Sequence, residues 1–271
     1  MNKRKSIKEL NLLDKFLFDE AMDDPENVKT MLDIILSQNT NLKHPPQTEK
    51  EQRTSTDNRQ IRLDVYAIDE DDVIYEVEAQ KENTHNLPKR SRLYQGIIDS
   101  KLLPPGVVDF NLLNEVLIVL IMPFDLFGYG LYRYTFQMKC EEVPELKLDD
   151  GATRIFLNTR GKHPELVSPE LIELLKYMEH STDEISEACE SKRIQEMHRR
   201  VCQIKASEKA EVKYMQTWEE KILIKQEGER IGLERINRLN QKLIEQGRFD
   251  DLTKATSDSS YQEKLLKEFK I

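Results

Sequence analysis

The chain has 271 residues, which suits one large domain with an appendage or two small domains. Hydrophobic residues make up 38% and charged residues 34%, a polar balance that still supports one real core and sends the excess charge to long solvated helices. A net charge of −9 counts against a protein that coats nucleic acid over a wide surface, but not against an enzyme with a local basic groove beside an acidic site.

The basic stretch from Met1 to Lys8 is not followed by an apolar segment, so no leader is expected. The longest apolar run, Val116 to Met122, is too short to span a bilayer, and no membrane contact is expected. Cys140, Cys189 and Cys202 are scattered and form no CxxC pair. They read as reduced thiols of a cytoplasmic protein without a zinc site, and the histidines likewise show no ligand spacing.

Within residues 10–37, Leu10, Leu13, Phe16, Leu17 and Met22 recur at helical spacing, and Val28, Met31, Leu32, Ile35 and Leu36 resume the period after Asp23, Asp24 and Pro25. The pattern predicts two helices, or one broken at the proline. Residues 38–60 are polar and carry two prolines, which predicts a loop with a short edge strand near Gln47 to Gln52. Over 61–80 the period changes to two. Ile61, Leu63, Val65 and Ala67 alternate with Arg62, Asp64, Tyr66 and Ile68. After the acidic turn 69–72, Val73, Tyr75, Val77 and Ala79 alternate with Ile74, Glu76, Glu78 and Gln80. This predicts a β-hairpin with one buried face.

A helix is expected over 88–102, opened by Pro88, with Leu93, Ile97 and Ile98 inward. The continuous β-branched run 115–122 suits a strand covered on both faces. Tyr132 to Met138 and Arg154 to Asn158 read as further strands. From Pro169 onward the chain is helical, with Ser168–Pro169 as a start and Ser181 with Glu184 as a capping box. Ile194, Met197, Val201 and Ile204 step by 3, 4, 3. Met215, Trp218 and Ile222 repeat the step, as do Ile236, Leu239 and Leu243. Such a narrow stripe suits a coiled-coil seam or a long helix laid along a partner, loosened at Gly228 and Gly232. Ser260 with Glu263 is expected to cap a short final helix.

The hairpin carries the chemistry. A register that keeps both apolar sets on one face pairs residues whose numbers sum to an even value, and 142 is the simplest choice. It leaves a turn at Glu70–Asp71–Asp72 and sets Asp64 opposite Glu78, with Cβ atoms about 4.5–5.5 Å apart. Two carboxylates that close repel unless a cation sits between them, and hard oxygen donors suit Mg²⁺. Gln80 lies two residues on, on the same face, and can donate to or accept from a water. Lys89, Arg90 and Arg92 open the next helix as candidates for phosphate contact. Taken alone, charges on the outer face of a hairpin, or at a helix start, are most often simply solvated.

Residues 12–22 (LLDKFLFDEAM), 61–80 (IRLDVYAIDEDDVIYEVEAQ) and 88–103 (PKRSRLYQGIIDSKLL) together resemble the bacterial recombination-promoting nuclease and putative transposase family of the PD-(D/E)XK superfamily. Residues 213–232 resemble that family's helical C-terminal region, so roughly 10–250 is covered. The resemblance implies an α/β fold: a restriction-endonuclease-like αβββαβ core with a mixed sheet over residues 1–167, followed by a helical region over 168–271; the stripe, separately, leads to the expectation that residues 190–245 associate with a second copy. It implies Mg²⁺-dependent endonuclease activity on DNA, with Mn²⁺ as an alternative ion, in mobile-DNA recombination or phage defence. Carried over by position, Asp64 and Glu78 are the acids that hold the metal. Gln80 fills the catalytic position usually held by lysine, and Asp14 is a candidate additional acid. Glutamine at this position occurs in many members of the family, but it removes a cation beside the attacking water, which implies weak or regulated cleavage. The missing lysine and the net acidity also fit a different class, a non-catalytic interaction protein on the same scaffold.

Overall fold

The structure is a computed structural model that describes residues 5–52 and 61–271. The readings on Met1–Arg4 and on the 53–60 part of the predicted loop lie outside the described residues. The chain is α/β, with a mixed six-stranded open sheet. Its strands are β1 (Gln47–Gln52), β2 (Ile61–Ile68), β3 (Ile74–Ala79), β4 (Val116–Met122), β5 (Arg133–Phe136) and β6 (Ala152–Asn158). Their spatial order is β1-β2-β3-β4-β6-β5. β1, β2 and β3 form an antiparallel meander. β4 runs parallel to β3 and β6 parallel to β4, while β5 closes the edge antiparallel to β6. A parallel step needs a crossover, and the chain between β3 and β4 supplies one that contains the helix Leu87–Asp99.

The hairpin register has residue numbers summing to 142. Val65 pairs with Val77, Tyr66 with Glu76, Ala67 with Tyr75 and Ile68 with Ile74. Asp69 fixes the turn: its side chain accepts from the Asp71 and Val73 amides at 3.0 and 2.9 Å and from the Tyr75 hydroxyl at 2.6 Å. Asp72 takes the left-handed conformation, φ 62°, that lets the chain reverse.

One expectation fails here. The hairpin does not have one wet face; all six residues of β3 are buried. β3 is an interior strand between β2 and β4, and its even-numbered side packs in a cluster with Leu87, Tyr94, Ile97 and Ile98 of the crossover helix. On that helix Leu93 is 41% exposed, and Tyr94 takes the inward place expected of it. Residues of the other parity, including Val65, Ala67, Val77, Val119, Ile121, Ile155 and Leu157, are buried as well.

Nine helices are described, and the predicted break at Pro25 is real. α1 spans Lys15–Met22 and α2 spans Pro25–Leu36, with Asp24 capping Glu26 N. α3 is the crossover helix Leu87–Asp99. α4 (Pro169–Glu179), α5 (Asp183–Ala188) and α6 (Lys192–Ala206) follow β6, with α4 and α6 packed on α2 and α6 also on α1. Ser168 caps α4 as expected, but Thr182 rather than Ser181 caps α5. The Ser181 hydroxyl accepts from the Leu12 amide and donates to the Tyr177 carbonyl.

α7 runs unbroken over Glu208–Glu245, through both Gly228 and Gly232. α8 (Phe249–Ser257) and α9 (Ser259–Glu268) end the chain, and Asp258, not Ser260, caps α9. The chain divides into two compact units, residues 1–211 and 212–271. The division falls after α6 rather than at 167, because Ile194, Met197 and Val201 are spent on the first unit's core. In the second unit Leu239 and Leu243 are buried against Ala255 and Leu265. No helix among the described residues is long and apolar enough to cross a membrane.

Candidate functional site

The alternation of β2 breaks at Asp64. Leu63 and Tyr66, three residues apart, both join the cluster under α3. Opposite this point, β1 pairs on either side of Glu49 but not through it, and Glu49 has φ 48°. The β2–β3 ladder ends at Val65–Val77, one step short of Asp64 and Glu78. Such irregularities re-aim side chains next to functional sites. Here Asp64, at the end of the ladder, is only 5% exposed.

Around this ladder end the sheet buries acids. Glu76 is 0% exposed and Glu78 is 8% exposed. Neither carboxylate oxygen of Glu76, nor Oε2 of Glu78, has a hydrogen-bond partner among the described residues. Burial, reinforced by Glu78 and Asp64, pushes the Glu76 carboxyl well above the ordinary range. Burial also lifts Glu78 to about 7 against the pull of Arg90. Asp64 is raised by burial, which outweighs Lys15.

Two cations answer these acids. Lys15, in the first turn of α1, places Nζ 2.5 Å from Asp64 Oδ1 and 3.1 Å from Asp19. Burial opposes its charge, but Asp64 and Asp19 hold the ammonium raised. Arg90, one turn into α3, donates from Nη2 to Glu78 Oε1 at 2.6 Å and to Gln80 Oε1 at 2.5 Å. Gln80 in turn donates from Nε2 to the Glu82 carbonyl at 2.6 Å. Asp14 stands at the N-cap of α1 without capping it; it accepts from the Asn11 amide and from Lys81.

The structure therefore brings Asp64, Glu78 and Gln80 to one end of the hairpin. It separates Arg90 from the predicted phosphate-contact group, because a buried carboxylate draws that guanidinium inward. Lys89 and Arg92 remain exposed and carry no ion pair among the described residues. Lys89 lines an open cleft of about 380 Å³ with Ile61, Arg62, Arg90 and Tyr94. Sequence reasoning gave no role to Glu76, Lys15 or Asp19. The even-numbered acid at 76 was visible in the alternation. Lys15 was not, because its partner lies on a strand 49 positions away.

No known family model matches the chain, and no curated protein or solved structure matches it either.

Proposed function

We propose that the chain is a Mg²⁺-dependent DNA endonuclease whose sheet and crossover helix form an αβββαβ core of the restriction-endonuclease type. The observation that carries this reading is the pair of buried acids, Asp64 and Glu78, at the point where β2 parts from β3. Buried carboxylate oxygens without partners are costly unless something else satisfies them. The unpartnered Glu78 and Glu76 oxygens are hard donors of the kind Mg²⁺ selects, so the residues fit the ion. Asp64 and Glu78 would hold it, and when bound it would lower the pKa of a water and steady a phosphate oxygen.

The chain's own residues do the rest. Gln80 lacks the charge of a lysine, but Arg90 stands against its carbonyl oxygen and supplies a fixed positive charge at that place. Arg90 also keeps Glu78 oriented. Lys15 does the same for Asp64 from α1. Lys89 and Arg92, left free of these contacts, are suited to phosphate oxygens of the DNA backbone.

A different observation favours a second reading, a non-catalytic scaffold: Lys15 and Arg90 already neutralise the two acids. Incubating supercoiled plasmid with the purified protein in Mg²⁺ or Mn²⁺ separates the two. The nuclease reading expects cleavage that falls to background in Asp64→Asn and Glu78→Gln proteins. Absent cleavage, or cleavage that survives both substitutions, defeats it. The scaffold reading further expects no Mg²⁺ heat in calorimetry that depends on these two residues.

We also propose that α7 pairs with a second copy of the chain. Ile224 and Ile231 lie one heptad apart and are 72% and 44% exposed, with Leu223 and Leu233 beside them. Ion pairs of Arg230 with Glu227 and Glu234 flank the stripe, as at the edges of a coiled-coil seam.

A further inference from the structure

A second cluster of ligating side chains lies apart from the acidic pocket, on α5 and α6. His198 and Cys202 stand four residues apart on α6 and so share one face of the helix. Asp183 opens α5. His198 Nε2 is 2.8 Å from Asp183 Oδ1 and 3.3 Å from Cys202 Sγ, and Sγ is 3.8 Å from the same Oδ1. Among the described residues, no other three His, Cys, Asp or Glu side chains bring ligand atoms within 4.8 Å of one another.

Two ordinary explanations compete. One is a proton relay in which the histidine activates the thiol. A relay places the orienting carboxylate on the ring nitrogen opposite the nucleophile. Here Asp183 sits on Nε2 and Cys202 lies closer to Nε2, at 3.3 Å, than to Nδ1, at 3.9 Å, while Nδ1 faces the Tyr177 hydroxyl at 3.0 Å. The other is a His–Asp ion pair with a thiol nearby by chance. That account leaves unexplained why the thiol closes the third side of the same triangle.

Three donors around a common point are what a metal requires. In a tetrahedral Zn²⁺ site, bonds of about 2.0–2.3 Å put ligand atoms about 3.3–3.7 Å apart. The three separations of 2.8, 3.3 and 3.8 Å need adjustments of a few tenths of an ångström. Asp183 is 84% exposed at its side chain and free to make them. Metal-bound histidines hand their other ring N–H to an oxygen, and the buried Tyr177 Oη occupies that place.

We propose that Asp183, His198 and Cys202 form a Zn²⁺ site with its fourth position open to solvent. The mixed oxygen, nitrogen and sulfur donors select Zn²⁺ over Mg²⁺, so this site is distinct from the acids of the sheet. The fourth position faces an open pocket of about 360 Å³ that Lys8, Thr182 and Lys205 also line. Binding replaces the S–H bond of Cys202 by a Zn–S bond and releases the proton to solvent. The ion ties the first turn of α5 to the middle of α6. His198 and Cys202 had the ligand spacing in the sequence, contrary to the expectation of scattered ligands; the third donor comes from another helix.

The test uses the full chain without a metal-binding tag, stripped by chelator and titrated with Co²⁺ and then Zn²⁺. The expected result is a single tightly held Co²⁺ with a thiolate-to-cobalt charge-transfer band, displaced by Zn²⁺. Cys202→Ser removes the band and weakens Zn²⁺ by more than about tenfold, as does the exposed Asp183→Asn. Cys140→Ser, Asp64→Asn and Glu78→Gln leave the band intact. Circular dichroism confirms that each variant is folded. No binding by the parent chain, or a charge-transfer band that persists in Cys202→Ser, overturns the proposal.

Discussion

The end of the β2–β3 hairpin and the long helix α7 break the rule of burial in opposite directions. In the hairpin, Glu76 is wholly buried without a hydrogen-bond partner among the described residues. On α7, Leu223, Ile224 and Leu233 are more than 60% exposed. The first arrangement costs stability within the fold and points to something that binds acids. The second costs little within the fold and points to something that covers apolar surface. The contrast separates the proposed metal site from the proposed contact face, and each half of it can be broken separately.

The largest effect is expected where the second unit obeys the rule. Leu239 is fully buried with Leu243, Ala255 and Leu265. Leu239→Ala should destabilise residues 212–271 by about 3 kcal/mol through the cavity it leaves. Hydrogen exchange should then rise in α8 and α9 while the sheet amides keep their protection. Equal loss of protection in both regions would show that the units do not unfold separately.

A somewhat smaller effect, of opposite sign, is expected from Glu76→Met. Removing a buried acid without partners should stabilise the chain by about 2 kcal/mol while abolishing any Mg²⁺-dependent cleavage. The pH dependence has a definite direction. Glu76 is raised well above the ordinary carboxyl range and Glu78 is raised to about 7, so the folded state holds these protons more tightly than the unfolded state does. Glu78's contribution is fully present below the ordinary carboxyl pKa and is lost as pH rises through about 7, and Glu76's is lost as pH rises well above the ordinary carboxyl range. Thermal melts of the parent should fall over that window, by at most about 1.4 kcal/mol per pH unit for each proton, and Glu76→Met should flatten the fall. An unchanged slope would remove Glu76 from the account.

What could be read in the sequence followed locality. The hairpin register was legible because period-two alternation and the acidic turn both lie within twenty consecutive residues, and Asp69 fixes that turn with its own side chain. The break at Pro25 was legible for the same reason. The burial of the even-numbered face was not, because it depends on α3 arriving over β3 and on β4 pairing beside it. Arg90 illustrates the limit. Its position at a helix start suggests solvent or phosphate, and only the depth of Glu78 turns it inward. The stripe from Ile194 to Leu243 reads as one periodicity but serves three surroundings: the first unit's core, a half-exposed stretch at Met215, Trp218 and Ile222, and the packing of α8 and α9.

The exposed apolar residues of α7 outside that stripe give the smallest change in the folded chain and the sharpest contrast with the sheet. Ile224→Glu with Ile231→Glu replaces side chains that touch little within the chain, so the melting behaviour of a monomer should shift by no more than about 0.5 kcal/mol. Two acids on a coiled-coil seam, by contrast, should disrupt pairing. Light scattering of the parent should therefore give a multiple of the 31.9 kDa chain mass, and the double variant should give the chain mass itself. Truncation after Glu211, where the first compact unit ends, should do the same. Should the parent already be monomeric, the apolar face of α7 does not bind a second copy, and Ile224 and Ile231 lose the role assigned to them.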